Sequence, residues 1–312
     1  MIDVLLPTYN AGRYLDDFLA SLEQQQCDTW RLVARDDASS DDTSHILAKW
    51  KLRLGERMHI LDDSGMTNLQ CYGNFSRLLA ESVAPYVMLA DPDDVWKARK
   101  IAVTLQRMKL TEGKYGVHTP CLVHTDLEMV DSSLSIKQAS LWRYQGLRPS
   151  RRRSLSRFLM ENTVWGCTLM ANRALVDLAG SIPESSFHAD WWIAMVASAF
   201  GQIQPVRQST ILWRRHGGNA SDVSAIEGRT LAAIRDYDAA RSWLHEIIRQ
   251  NQRRAASFLA RYKYHLRQFD VDTLEAFLEL LDCAPSRRKL TALSHGFCFT
   301  SIRRTLGMLV FL

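Results

Sequence analysis

Four short apolar runs, at residues 2–6, 30–34, 58–61 and 86–90, are separated by segments whose apolar residues recur at helical spacing. In residues 11–25 that period is carried by Tyr14, Leu15, Phe18, Leu19 and Leu22. Strands that alternate with helices in this way lie parallel, because each crossover helix returns the chain to the same end of the sheet. The expected fold is therefore α/β, with a mainly parallel, Rossmann-like sheet flanked by helices. The same topology gathers the C-terminal ends of the first, second and fourth strands on one edge, where open α/β sheets bind ligands. All three ends are polar: Pro7-Thr8-Tyr9-Asn10, Arg35-Asp36-Asp37-Ala38-Ser39-Ser40 and Asp91-Pro92-Asp93-Asp94.

The third end is the most demanding. In an extended path Asp91 and Asp93 point the same way, and Pro92 between them favours that path. Two carboxylates facing one site repel unless a cation lies near them. Mg²⁺ or Mn²⁺ fits, as a hard ion held by one or two carboxylates and completed by phosphate oxygens. The competing reading is a solvated acidic turn in which Asp94 caps the following helix.

Local signals place the remaining elements. Ser40 is the expected cap of a helix running to about residue 54, with Asp41 and Asp42 in its first turn and Gly55 stopping it. Asn74 is the expected cap of a helix carrying Phe75, Leu78 and Leu79. Beyond Trp96 the pattern predicts a helix over 101–110 ending at Gly113 and a strand over 121–130. A basic loop or linker follows at 148–157, then a strand at 164–170 broken by Gly166. His188-Ala189-Asp190-Trp191-Trp192 opens an apolar helix to Phe200, and a strand at 203–213 comes next. From about residue 221 the chain reads as helical.

Charge and cysteines narrow the class. The net charge is +5, and residues 205–312 hold 17 Lys and Arg against 10 Asp and Glu. A basic tail on a near-neutral body suits an anionic partner, a membrane surface or nucleic acid; a solvated helical face is the plainer alternative. The six cysteines form no Cys-X-X-Cys pair or His/Cys cluster, which fits reduced thiols in a cytoplasmic protein. Neither a signal peptide nor a bilayer-spanning apolar run is expected. Residues 290–312 mix apolar side chains with Arg303 and Arg304, beside Arg287-Arg288-Lys289. They either pack on the domain or lie in a membrane interface, and the basic flank favours the interface.

Three further clusters carry chemistry or plain structure. Asp36-Asp37 are turn and capping residues, or a carboxylate that accepts from a base N–H or a ribose hydroxyl. Asp190 is a helix-start carboxylate, or a general base at a site wall with Trp191 and Trp192 as surfaces for a sugar ring. His216, beside Arg214 and Arg215, is a polar turn residue, or completes a metal shell while arginine meets diphosphate oxygens.

Together these motifs resemble family 2 glycosyltransferases of the GT-A fold, and within them the bacterial rhamnosyltransferase-like branch. The resemblance is carried by Pro7-Thr8-Tyr9-Asn10, Asp36 to Asp41, Asn74-Phe75, Asp91-Pro92-Asp93-Asp94-Val95-Trp96, Gly166-Cys167-Thr168, Asp190-Trp191-Trp192 and Trp213 to Asn219, in the family's order over about residues 1–222. It implies that Pro7, Thr8 and Tyr9 line a nucleoside pocket, that Asp37 takes the N3–H of uracil or thymine, and that Asp91 approaches the ribose. It implies that Asp93 and His216 bind Mn²⁺ or Mg²⁺, that Arg214 contacts the diphosphate and that Asp190 is the base of an inverting transfer, with Trp191 and Trp192 toward the acceptor. Ala189 stands where many relatives have histidine, and Pro92 where glutamine is common. The implied division is a GT-A domain at 1–220, with a nucleotide-binding half (1–96) and an acceptor half (97–220), and a helical, basic extension at 221–312. The implied activity moves a sugar, foremost L-rhamnose from dTDP-rhamnose, to a lipid-linked or polysaccharide acceptor in cell-surface polysaccharide (O-antigen-type) synthesis. Its place would be the inner face of the cell membrane, on an anionic surface and without nucleic acid.

Two other readings compete. A UDP-sugar would satisfy Asp37 equally, and a catalytically silent nucleotide-sugar-binding scaffold would share the fold. A dinucleotide-dependent oxidoreductase is disfavoured, because Pro-Thr-Tyr-Asn and not a glycine-rich turn follows the first strand.

Overall fold

The computed structural model describes residues 1–62, 68–149, 154–217 and 236–312. Gly218 and Asn219, the proposed boundary near residue 220 and the centre of the basic loop at 148–157 lie outside them. The chain begins with β1 (Ile2–Thr8), α1 (Leu15–Glu23), β2 (Trp30–Asp36), α2 (Thr43–Leu54), β3 (Met58–Ile60), α3 (Gln70–Glu81) and β4 (Tyr86–Leu89). Then come β5 (Val95–Trp96), α4 (Lys100–Tyr115), β6 (Cys121–Val130), β7 (Ile136–Gln138), α5 (Leu141–Tyr144) and α6 (Leu155–Met160). They are followed by β8 (Leu169–Asn172), α7 (Arg173–Ala179), α8 (Ala189–Phe200) and β9 (Gln202–Arg214). The C-terminal helices are α9 (Tyr237–Tyr262), α10 (Gln268–Leu278), α11 (Pro285–His295) and α12 (Ile302–Phe311).

Among the described residues the strands form one sheet in the order β3-β2-β1-β4-β8-β6-β9-β5, with β7 paired to β6. The first four strands are parallel, as their alternation with helices dictates. Beyond β4 the sheet is mixed: β8 runs antiparallel to both β4 and β6, and β6 runs parallel to β9. Strand residues alternate between two cores. Val4, Leu6, Leu32, Ala34 and Met88 pack under α1, α2 and α4, whereas Leu5, Val33 and Val87 pack under α3 and α8. The second core also takes Leu244, Phe258, Leu274 and Met308 from the C-terminal helices. One glycine is required by close approach: a Cβ on Gly201 would lie 1.9 Å from the Pro120 carbonyl oxygen.

Several local expectations are corrected by tertiary contacts. Asp41, not Ser40, accepts the Thr43 N–H, and its other oxygen accepts Gly12 N–H across the loop. Ser40 is instead engaged by Asn10. Asn74 is not a cap but lies inside α3, because the helix starts four residues earlier. The α4 helix passes Gly113 and ends at Gly116, whose φ is +91°. Most of 164–170 is not strand: Gly166–Thr168 forms one 3-10 turn before β8. Arg157 belongs to α6, not to a loop. Asp94 caps no helix; it is fully buried.

Candidate active site

The ends of β1, β2 and β4 meet as the register requires, since Leu5 is paired with both Val33 and Leu89. Past those pairs the three polar segments wall a cavity of about 810 Å³. Pro7, Thr8, Tyr9, Asp37, Asp91, Asp93 and His216 all line it. Asp91 and Asp93 get there by a turn and not by extended chain, because β4 has already ended at Leu89.

Asp36 and Asp37 divide the work at the end of β2. Asp36 accepts from Thr8 Oγ1 at 2.9 Å and from the Ser39 N–H at 3.0 Å, so it closes the turn. Asp37 is buried on the cavity wall; its Oδ1 accepts from Arg35 at 2.6 Å and from the Leu69 N–H at 2.8 Å. The Asn68 amide donates to the Asp37 carbonyl, which ties the start of α3 to this strand end.

At the other end of the cavity Asp93 Oδ2 and His216 Nε2 lie 2.9 Å apart. Asp91 is pushed up to about 7 by burial, then by the charges of Asp93 and Asp190. Carboxylates crowded this closely repel one another, and a cation beside them would favour their charged forms. The oxygen and imidazole donors suit Mn²⁺ or Mg²⁺. Asp91, Asp94 and Cys167 also place ligand atoms within 4.8 Å of one another. That set is a poorer one: burial, then Asp94 and Asp91, drive the Cys167 thiol well above its usual range, so it keeps its proton. Lys100 is fully buried with Nζ 4.6 Å from the Trp96 ring centre and no hydrogen-bond partner among the described residues, and burial lowers it to about 8.

Asp190 sits in the first turn of α8; it does not line the cavity, but it is close enough that its charge raises Asp91 and Cys71. Burial raises its own carboxyl, against the opposing effects of His188 and of the Trp191 and Gly166 N–H groups. The two tryptophans beside it part company. Trp191 is half-buried, donates to the Phe158 carbonyl and carries the Arg254 guanidinium 3.6 Å from its ring centre. Trp192 is 0 % exposed, donates to the Ala179 carbonyl and packs edge-on against Phe258. The expectation that Trp192 meets an acceptor is therefore corrected: it is core.

Arg214 is also placed differently from the expectation. Its guanidinium donates to the Asp93 carbonyl, the Ser132 carbonyl and Asp17, and it stacks 4.3 Å from the Tyr14 ring centre. It is buried and clamps the Asp93 turn from behind, and it does not line the cavity. The exposed arginine on the wall is Arg13. Asn68, just ahead of α3, and Gln70, Cys71 and Asn74 from α3 line it too. Asn74 is buried, and among the described residues its Oδ1 has no hydrogen-bond partner. Desolvation, then Asp91, Asp190 and Asp37, push the Cys71 thiol up to about 12. Asn74 was visible in the sequence but read as a cap; Asn68 and Arg254 carried no signal, since only folding brings them to Asp37 and Trp191.

Residues 3–174 match the model of a family described as glycosyl transferase family 2. TuaG of Bacillus subtilis, assigned by name to teichuronic acid biosynthesis, is 30% identical over 111 residues, covering 35% of this chain and 42% of TuaG. EpsE of the same organism, a glycosyltransferase by name, is 25% identical over 32% of this chain and 35% of its own. The match thus spans less than half the length of these two relatives. Among solved structures, S. aureus TarS 1-349 superposes with a TM-score of 0.52 at 16% identity, over 99% of this chain and 90% of that one. The same protein has been solved with UDP-GlcNAc. PcManGT of Pyrobaculum calidifontis, a mannosyltransferase solved with GDP-Man and Mn²⁺, gives 0.50 at 16% identity over 95% and 85%. At such identities the likeness speaks to fold alone.

Proposed function

Because the chain belongs to glycosyl transferase family 2, with the GT-A fold of its structural relatives, we propose that it transfers a sugar from a nucleoside diphosphate donor with inversion at the anomeric carbon. One observation carries the reading: Asp37, Asp91, Asp93 and His216 share a cavity, and Asp190 on α8 lies near enough for its charge to raise the Asp91 carboxyl. Pro7, Thr8 and Tyr9 with Asp37 hold the base, and Asp91 the ribose. A pyrimidine nucleotide fits Asp37, with dTDP-rhamnose as the donor the motif branch favours and a UDP-sugar as the alternative. The UDP-GlcNAc complex of TarS supports the same class of donor.

Asp93 and His216, with Asp91 beside them, would hold Mn²⁺ or Mg²⁺; when bound, the ion offsets the negative charge of the diphosphate. The Mn²⁺ complex of PcManGT supports that choice. Arg13 is placed to meet phosphate oxygens, and Arg214 acts by holding the Asp93 turn. Asp190 takes the proton from the acceptor hydroxyl as its oxygen attacks the anomeric carbon, and the bond to the diphosphate breaks on the opposite face. Its raised carboxyl pKa brings it nearer the working range of a base. Trp191 flanks the acceptor. The acceptor is a lipid-linked or polysaccharide chain of the cell surface, in keeping with the name of TuaG, and the enzyme works as a peripheral protein on the inner membrane face. Among the described residues no helix is long and apolar enough to cross a membrane.

Asp190→Ala tests this reading. Loss of a general base costs about 10²–10⁴-fold in turnover. Transfer measured by release of the nucleoside diphosphate should fall by that factor, with stabilisation by donor unchanged. Full turnover in the variant would remove Asp190 from the role.

A further inference from the structure

A second cavity, of about 600 Å³, lies between α5 with the segment that follows it and the start of α12. Arg143, Arg148 and Arg303 line it, together with Thr300, Ser301 and Ile302, and no carboxylate does. The neighbouring Arg304 is engaged by Glu161; among the described residues the three cavity arginines have no acidic partner. Guanidinium groups that converge without a carboxylate suit phosphate, whose oxygens take paired N–H donors.

Ile302 belongs both to this cavity and to the outer stripe of α12. Ile302, Leu306 and Val310 recur every four residues and are 70%, 59% and 56% exposed. On the inner side Met308 is buried in the core, and Tyr237 of α9 donates to the Val310 carbonyl and packs at a tilt against the Phe311 ring. The helix is thus anchored by one face and presents an apolar stripe with the other, next to uncompensated positive charge.

We propose that this stripe and the arginine cavity form a docking surface for an anionic lipid bilayer, the stripe entering the headgroup boundary and the cavity receiving a lipid phosphate. The proposal rests on the reading above that the acceptor is lipid-linked, and it names the surface that would bring the enzyme to it. Charge decides the occupant. A second copy meeting this face across a two-fold axis would bring arginines against the same arginines. An anionic bilayer meets both the apolar stripe and the cations.

The test is co-sedimentation with vesicles of phosphatidylcholine alone or mixed with phosphatidylglycerol. The full chain should partition onto the anionic vesicles and only weakly onto the neutral ones. Arg143→Ala and Arg303→Ala should each weaken binding roughly fivefold. Leu306→Asp should weaken it at least tenfold, with melting temperatures unchanged because all three side chains are exposed. Equal binding to neutral vesicles, or binding indifferent to all three variants, would overturn the proposal. So would displacement by millimolar inorganic phosphate, which would make the cavity a small-anion site. A dimer in solution that Leu306→Asp dissolves would assign the stripe to a second copy instead. A wild type that ignores vesicles yet is stabilised by a nucleoside diphosphate overturns the docking surface alone; failure of both overturns the transferase reading as well.

Discussion

The donor wall of the cavity and the neighbouring helix that carries Asp190 are built differently. On the donor side backbone pairing of β1 with β2 and β4, all parallel, delivers Thr8, Asp37 and Asp91 together. On the far side Asp190 rides on α8, and α8 is held by what it buries: Trp192 against Phe258 and Tyr262, with Arg254 of α9 bonded to the Ser186 carbonyl just ahead of the helix. A wall set by backbone register survives the loss of a side chain. A wall set by packing moves when a large side chain is removed.

Trp192→Ala is the strongest way to break that contrast. Truncating a buried tryptophan costs about 3–5 kcal/mol. Urea unfolding should show that loss, and the surviving folded protein should transfer poorly while still binding donor. Trp191→Ala should cost only about 1 kcal/mol, in keeping with one lost hydrogen bond to the Phe158 carbonyl. The reverse ranking would return Trp192 to the acceptor surface.

A smaller effect sharpens the comparison at β6, on the far-side half of the sheet. His124 is buried beside the Trp142 ring, and burial lowers its pKa to about 3. The unfolded chain takes up this proton near pH 6.5 and the folded state does not. The stability that His124 contributes is therefore fully present above pH 6.5 and is lost as the pH falls toward 3, by about 1.4 kcal/mol per pH unit. Unfolding free energies from pH 7 to 4.5 should fall less steeply in His124→Gln than in wild type. Parallel slopes would mean that the folded state protonates His124 readily.

The same contrast explains what could be read in advance. Strand ends obey a local rule, so the residues of β1, β2 and β4 that line the cavity were legible from alternation and polarity. Caps were less legible, because Asp41 and Ser40 offer similar side chains and the choice was made by contacts with Gly12 and Asn10. Adjacent helical residues point about 100° apart, so Trp191 and Trp192 could not share an environment, yet only the position of α9 decides which of them is core. Arg214 departs from its expected place for the same reason: it is satisfied by Asp17 and by the Ser132 and Asp93 carbonyls, all remote in sequence. Arg254 and the cavity arginines belong to surfaces that no single segment contains.

The central claim, a metal-assisted donor site built on Asp93, is tested most directly by thermal unfolding with UDP, dTDP or GDP, with and without Mn²⁺, on wild type and Asp93→Ala. A ligand at about 100 times its dissociation constant adds about 2.7 kcal/mol. The account predicts stabilisation of that size by UDP or dTDP in wild type with Mn²⁺, and its loss when either the ion or the Asp93 carboxylate is removed. Stabilisation that is indifferent to both, or absent with every nucleotide, would contradict it.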